Sequence, residues 1–268
     1  LVYCKLRGLE TYYLGYLVHN YHMLCWAALF EGKAAQAEEA ARVVVRETMP
    51  PTMLEAYGDF LEPYCAGKWH VWVRFGKWRK ILAEPLPSEA GVSEESLAAP
   101  KAKFLVCEAT ALYAQATARA VQGDTVGARW TQERFRRACG AEGIGTRMLH
   151  NVSSNKSLLV ADSLLAGEIL FREWLSAAAS LKAMSDSTPS PIAAPGTSKS
   201  LAGGLLGAAL ISLRRAVELD EALPYDEPWG WMVPASHALA ALLVEASDHV
   251  VNPPEEGEKD QDRNWNAD

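Results

Sequence analysis

A short frame recurs along this chain. A helical run ends in Gly, and five residues later a small residue opens the next helical run. It reads Phe30-Glu31-Gly32 followed by Ala37, and Val121-Gln122-Gly123 followed by Ala128. Phe75-Gly76-Lys77-Trp78 fits the same frame, with Ile81 in the small-residue position. The three glycines stand 44 and 47 residues apart. Units of that length and kind cannot bury an apolar face alone, so they stack on their neighbours. The frame therefore predicts an all-α fold, an α-solenoid that displays a groove, and no β-sheet.

Composition narrows the partners. Nearly half the residues (49%) are apolar, enough for a core that runs through every unit. The net charge of -7 argues against nucleic acid, because phosphate binding needs a basic surface. Cys4, Cys25, Cys65, Cys107 and Cys139 are odd in number and contain no C-x-x-C pair, which suits a reducing, cytoplasmic compartment. No apolar run reaches membrane-spanning length, and no signal peptide is expected.

Punctuation by Gly and Pro divides the chain into pairs. Residues 10–31 and 34–47 form the first pair, ended by Met49-Pro50-Pro51. Residues 53–75 and 77–84 form the second, closed by Pro85 and Pro87, and a polar linker follows over 88–100. The third covers 102–122 and 124–138, before the Gly140, Gly143 and Gly145 cluster. A fourth pair joins 157–173 to 205–222, with Gly167, Ala209 and Ala216 at close-packing positions. Between them lies a Ser/Thr/Pro-rich stretch, predicted as a disordered insertion at about 176–203. Residues 234–246 open a fifth pair whose second helix does not follow. The helical repeat domain thus spans 1–251, and 252–268 is an acidic tail of net charge -4, predicted to be disordered. The unfinished last pair and the absence of an initiator Met lead us to expect a fragment, with self-association through uncapped ends.

These residues resemble the tetratricopeptide repeat, a family of antiparallel helix pairs with small residues at the closest packing points. The generic pattern is matched at Cys25, Gly32, Ala37 and Pro50, at Ala116, Gly123 and Ala128, and at Gly167, Ala209 and Ala216. The second unit departs from it, with Trp69 and Ile81 where small residues are expected. The stretches Asn20-Tyr21-His22, Trp26 to Gly32, Val73 to Trp78, Leu223 to Trp229 and His237-Ala238-Leu239 are similar to a subfamily of long tetratricopeptide proteins with no assigned biochemical role. Its members extend upstream with further His-containing repeats. The resemblance implies that first helices line the concave side.

The candidate site follows from that implication. His19, His22 and Trp26 share one helix stripe at i, i+3 and i+7. His70, Arg74, Tyr113 and His237 fall on similar faces of later first helices. Such a groove suits a peptide or protein segment, with Trp26 and Arg74 as the expected anchors. Packing is the commoner role of His on an aromatic-rich helix. The alternative is a metal- or small-ligand-binding protein, possibly an enzyme, with zinc or another divalent ion held by His19, His22 and His70. The loop Tyr225-Asp226-Glu227-Pro228-Trp229-Gly230-Trp231 is expected to cap the core with its rings. No phosphate loop, dinucleotide fingerprint, G-x-S-x-G or H-E-x-x-H occurs, so no catalytic residue is assigned.

Overall fold

The computed structural model describes residue 6 and residues 13–49, 51–89, 104–187 and 196–251. These residues are mostly helical. In order they form α1 (Tyr13–Phe30), α2 (Ala34–Thr48), α3 (Pro51–Leu61), α4 (Gly67–Arg74), α5 (Trp78–Ala83), α6 (Leu105–Val121), α7 (Thr125–Cys139), α8 (Ser154–Ser187), α9 (Gly196–Glu221) and α10 (Ala235–Val251). The polar linker beyond residue 89 and the acidic tail 252–268 lie outside the described residues.

The recurring glycines do the same job three times. Gly32, Gly76 and Gly123 take φ of 73°, 62° and 87°, a region that costs a side-chain-bearing residue free energy. After each, a backbone N–H reaches back five residues: Lys33 to Ala28, Lys77 to Trp72 and Asp124 to Arg119, every bond 2.9 Å. That closure satisfies a carbonyl at the helix end and reverses the chain. Ala37, Ile81 and Ala128 then sit in the first turn of the second helix, fully buried. Their N–H groups bond to the carbonyls of Lys33, Lys77 and Asp124. Asp124 adds a side-chain cap on the N–H of Gly127 at 2.8 Å, which its two counterparts lack.

The helices joined by these turns pack side by side: α1 with α2, α4 with α5, and α6 with α7; α8 packs along α9 as well. Successive pairs also touch, through α1 on α4, α4 on α6 and α6 on α8, while α10 packs on α8 and α9. Leu29, Trp69, Ile81, Phe135, Leu165, Ile169, Phe171 and Leu213 are almost wholly removed from water, at about 1.5–3 kcal/mol for an aliphatic or Phe side chain. At the α8–α9 crossing a Cβ on Gly167 would lie 2.5 Å from Leu213 Cγ.

Three expectations need correction. The run 53–75 is not one helix: Tyr57 breaks it with φ -130° and ψ 29°, and Pro63 lies in a 3-10 segment, Glu62–Ala66, that leads into α4. Pro lacks the N–H that an α-helix interior requires. The stretch expected as an insertion from 176 is helical through Ser187 and again from Gly196. Ala177, Ala178, Ala179, Leu181 and Ala183 are strong helix formers, and their propensity outweighs the Ser content around them. The core of that expected insertion, 188–195, lies outside the described residues. A two-stranded antiparallel ribbon, β1 (Met148–Leu149) and β2 (Val152–Ser153), stands where no strand was expected. His150 turns it with a left-handed φ of 47°, uncommon outside Gly but tolerated by His more than by most residues.

Candidate functional site

The stripe on α1 points into the protein, where it meets three other elements. His22 is buried, with its ring 5.1 Å from Tyr64 in the 3-10 segment and 6.2 Å from His150 in the ribbon turn. His19 is half-buried, one turn earlier, with its ring 5.3 Å from His150. Tyr64 stands 5.1 Å from His150 and completes a cluster of four rings. Phe60 lies 5.8 Å from Tyr64 at the outer edge.

A carboxylate closes the cluster from behind. Asp226, in the segment 222–234 between α9 and α10, places Oδ1 3.1 Å from His150 Nδ1. The contact is close but makes no hydrogen bond: His150 Nδ1 has no hydrogen-bond partner among the described residues, Oδ1 accepts instead from the Glu227 N–H at 3.0 Å, and Oδ2 is unpaired among them as well. His22 Nδ1 and Trp26 Nε1 are buried without a partner as well. Buried polar atoms are seldom left unpaired, so four in one neighbourhood mark it as unusual. Loss of hydration pushes the His22 pKa down to about 3, aided by His150, His70 and His19, so the ring is neutral at neutral pH. Burial raises the Tyr64 phenol well above its ordinary range, with Asp226 adding to the rise.

The other expected site residues are dispersed along the same interior. His70 and Tyr113 face Trp231, with ring centres 4.7 Å and 5.3 Å apart. Desolvation lowers the His70 pKa to about 4 and raises the Tyr113 phenol above its usual range. The chain's own segment 222–234 therefore covers both groups. Its capping rings are as expected for Trp231, which is buried, whereas Tyr225 is exposed. The Trp26 ring packs at a tilt 4.6 Å from Phe30, and Phe30 lies 5.7 Å from His237 at the start of α10. The last described helix thus returns to the first. Arg74 is exposed at the end of α4, and no hydrogen bond or ion pair among the described residues ties it to the cluster.

Among the described residues, no three His, Cys, Asp or Glu side chains converge as they stand on a point where one metal ion could sit. His70 belongs with Trp231, and the residue nearest to His19 and His22 is His150. No local sequence signal joins His150 to Asp226, because their approach links residues far apart in the chain. Cys25, Cys65, Cys107 and Cys139 are free thiols. No helix among the described residues is long and apolar enough to cross a membrane. Compared with protein-family models, with curated proteins and with solved structures, the chain matches none.

Proposed function

We propose that this chain is an interaction scaffold, a tetratricopeptide-like solenoid of antiparallel helix pairs that binds an extended peptide or protein segment. The observation that carries the reading is the exposed aromatic rim around His150. Phe60 is 41% exposed and its ring lies 6.3 Å from that of His150. Tyr225 is 69% exposed, and its backbone carbonyl accepts a hydrogen bond from Asn151 Nδ2 at 3.3 Å. Large aromatics held at the surface by their backbones are the residue type that anchors protein interfaces.

Support also comes from how the interior treats extended chain. Residues 222–234 run without regular structure between two helices, with Trp231 against His70 and Tyr113. The expected anchors Trp26 and Arg74 give way to Phe60 and Tyr225 in this reading. The free thiols fit a cytoplasmic setting. The test is selection of binding peptides from a random library on the purified chain, followed by calorimetry. Phe60→Ala and Tyr225→Ala should each weaken a selected peptide about tenfold or more. A library that yields no binder, or binders indifferent to both substitutions, overturns the reading.

A further inference from the structure

We propose that the seam between α1 and the ribbon turn is an acid-sensitive joint: neutral His22 holds α1 against Tyr64 and His150, and protonation of His22 releases the helix. This goes beyond the scaffold reading and does not depend on it. Three imidazoles from two elements meet at the seam, with the His19 and His22 ring centres 5.3 Å and 6.2 Å from that of His150. The Tyr64 ring stands 5.1 Å from both His22 and His150, edge-on to each. His22 is 3% exposed, and its Nδ1 has no hydrogen-bond partner among the described residues. A neutral ring packs in such a site at little cost. A charged one loses its hydration there and gains no counterion.

The charges around the joint are unequally placed. Between Tyr13 and Phe30, α1 carries no Asp, Glu, Lys or Arg. From the 3-10 segment His22 meets the Tyr64 phenol, while the Glu62 carboxylate is held by the N–H groups of α6. His150 in the ribbon turn, His70 on α4 and His19 on α1 each oppose a charge on His22. The Asp226 carboxylate lies beside His150, with Oδ1 3.1 Å from Nδ1. A proton on His150 therefore has a matching charge in place, and a proton on His22 has none. Burial is the largest cause that lowers the His22 pKa from 6.5 to about 3. A base lowered in this way stabilises the closed joint above pH 6.5, and that contribution is lost as pH falls toward 3. Acid thus loosens α1 while the ribbon turn stays joined to residues 222–234 through Asp226 and Asn151. Phe60 packs near both Tyr64 and His150, so the position of α1 changes the surface beside the aromatic rim.

The experiment follows amide hydrogen exchange in the whole chain as pH is lowered, each rate corrected for its intrinsic pH dependence. Opening that takes up one proton becomes about tenfold more favourable for each pH unit below 6.5. Protection of the α1 amides should therefore fall about 100-fold between pH 6.5 and about pH 4.5. Amides of α6 should stay better protected than those of α1 throughout, as local opening requires. His22→Phe keeps a ring against Tyr64 without a titrating group, and should cut the fall to about tenfold or less. His22→Gln should do the same, and serves where Phe disturbs folding. His249→Gln should keep the full fall, since that ring packs on Trp174. A natural chain whose α1 protection changes less than about threefold over this range overturns the proposal. So does the same fall in the His22 variants, or α1 and α6 sharing one protection level at every pH.

Discussion

Glu62 Oε1 accepts a hydrogen bond from the backbone N–H of Cys107 at 2.6 Å, so a carboxylate from the second helical unit caps the first helix of the third. Its other oxygen accepts from Val106 N–H at 3.2 Å. The residue is completely buried, and Arg147 Nε lies 3.7 Å away, itself paired with Asp59. Phe104, at the N-cap position of α6, has no side chain able to satisfy these orphan N–H groups, so the cap is imported.

The first prediction concerns that cap. Glu62→Ala leaves two buried N–H groups and a void, and should lower unfolding stability by about 2–4 kcal/mol in urea titration. Glu62→Gln keeps an acceptor and should cost less. Desolvation pushes the Glu62 pKa up to about 7, against the backbone hydrogen bonds and Arg147, which lower it. A carboxyl raised in the folded state stabilises fully below its unfolded pKa of about 4.5 and loses that contribution as pH rises through 7. The stability difference between the natural chain and Glu62→Gln should therefore shrink from about pH 4.5 to about pH 8. A constant difference would show that the carboxyl titrates normally.

Local signals were readable, and long-range ones were not. Gly32, Gly76 and Gly123 announced their turns because a left-handed φ and a buried residue five positions on impose a residue choice within one short window. The His19–His22 stripe was readable for the same reason, since helical spacing alone puts both on one face. His150 was not, because what matters is its distance to residues from other units, and no spacing encodes a 5.3 Å approach between α1 and a ribbon turn. Composition misled at 176–187, where the Ser residues drew attention away from the Ala, Leu, Lys and Met that carry the helix. The break at Tyr57 to Pro63 was legible in principle, since Pro63 stands in the sequence, but apolar periodicity ran straight through it.

The α8–α9 crossing yields a packing prediction. Gly167→Ala would bring a Cβ to 2.5 Å from Leu213 Cγ and 3.3 Å from the Ala209 carbonyl. Relief by moving Leu213 leaves the backbone contact in place. The substitution should cost about 1–3 kcal/mol. Adding Leu213→Ala should recover part of that loss, a non-additivity expected of residues in contact. Gly123→Ala is the contrasting case: nothing lies within 4 Å of its Cβ, so only the φ of 87° opposes it, at about 1–2 kcal/mol.

His70 should make the chain acid-sensitive in the opposite sense to Glu62. Burial lowers its pKa from 6.5 to about 4. A base depressed in this way contributes stability that is present above pH 6.5 and is lost as pH falls toward 4. Every tenfold loss of proton affinity on folding corresponds to about 1.4 kcal/mol, an upper bound here because the ring is only partly buried. His70→Gln should flatten the fall in stability between pH 6.5 and about 4. Fluorescence of Trp231, whose ring stands 4.7 Å from His70, offers a local readout of the same titration. An unchanged acid limb in His70→Gln would assign the sensitivity to other groups.

Asp220 anchors both ends of the segment that covers the interior. Its Oδ1 accepts from Trp229 Nε1 at 2.8 Å, and its Oδ2 accepts from the backbone N–H of Ala235 at 2.9 Å, at the first turn of α10. Burial raises its pKa, with both hydrogen bonds opposing that rise. Asp220→Ala should cost about 1–3 kcal/mol, because it leaves a buried helix-terminal N–H and an indole N–H unmatched. Trp229→Phe removes one of the two bonds and spares the helix cap, so it should cost less. The double variant Asp220→Ala/Trp229→Phe should fall short of the sum of the two by about 1 kcal/mol, the coupling of one charge-assisted hydrogen bond. Urea unfolding of the four chains gives that number directly. Strict additivity would mean that the Asp220 carboxylate holds α10 and not Trp229, leaving residues 222–234 to contacts such as Trp231 on His70 and Asn151 on the Tyr225 carbonyl.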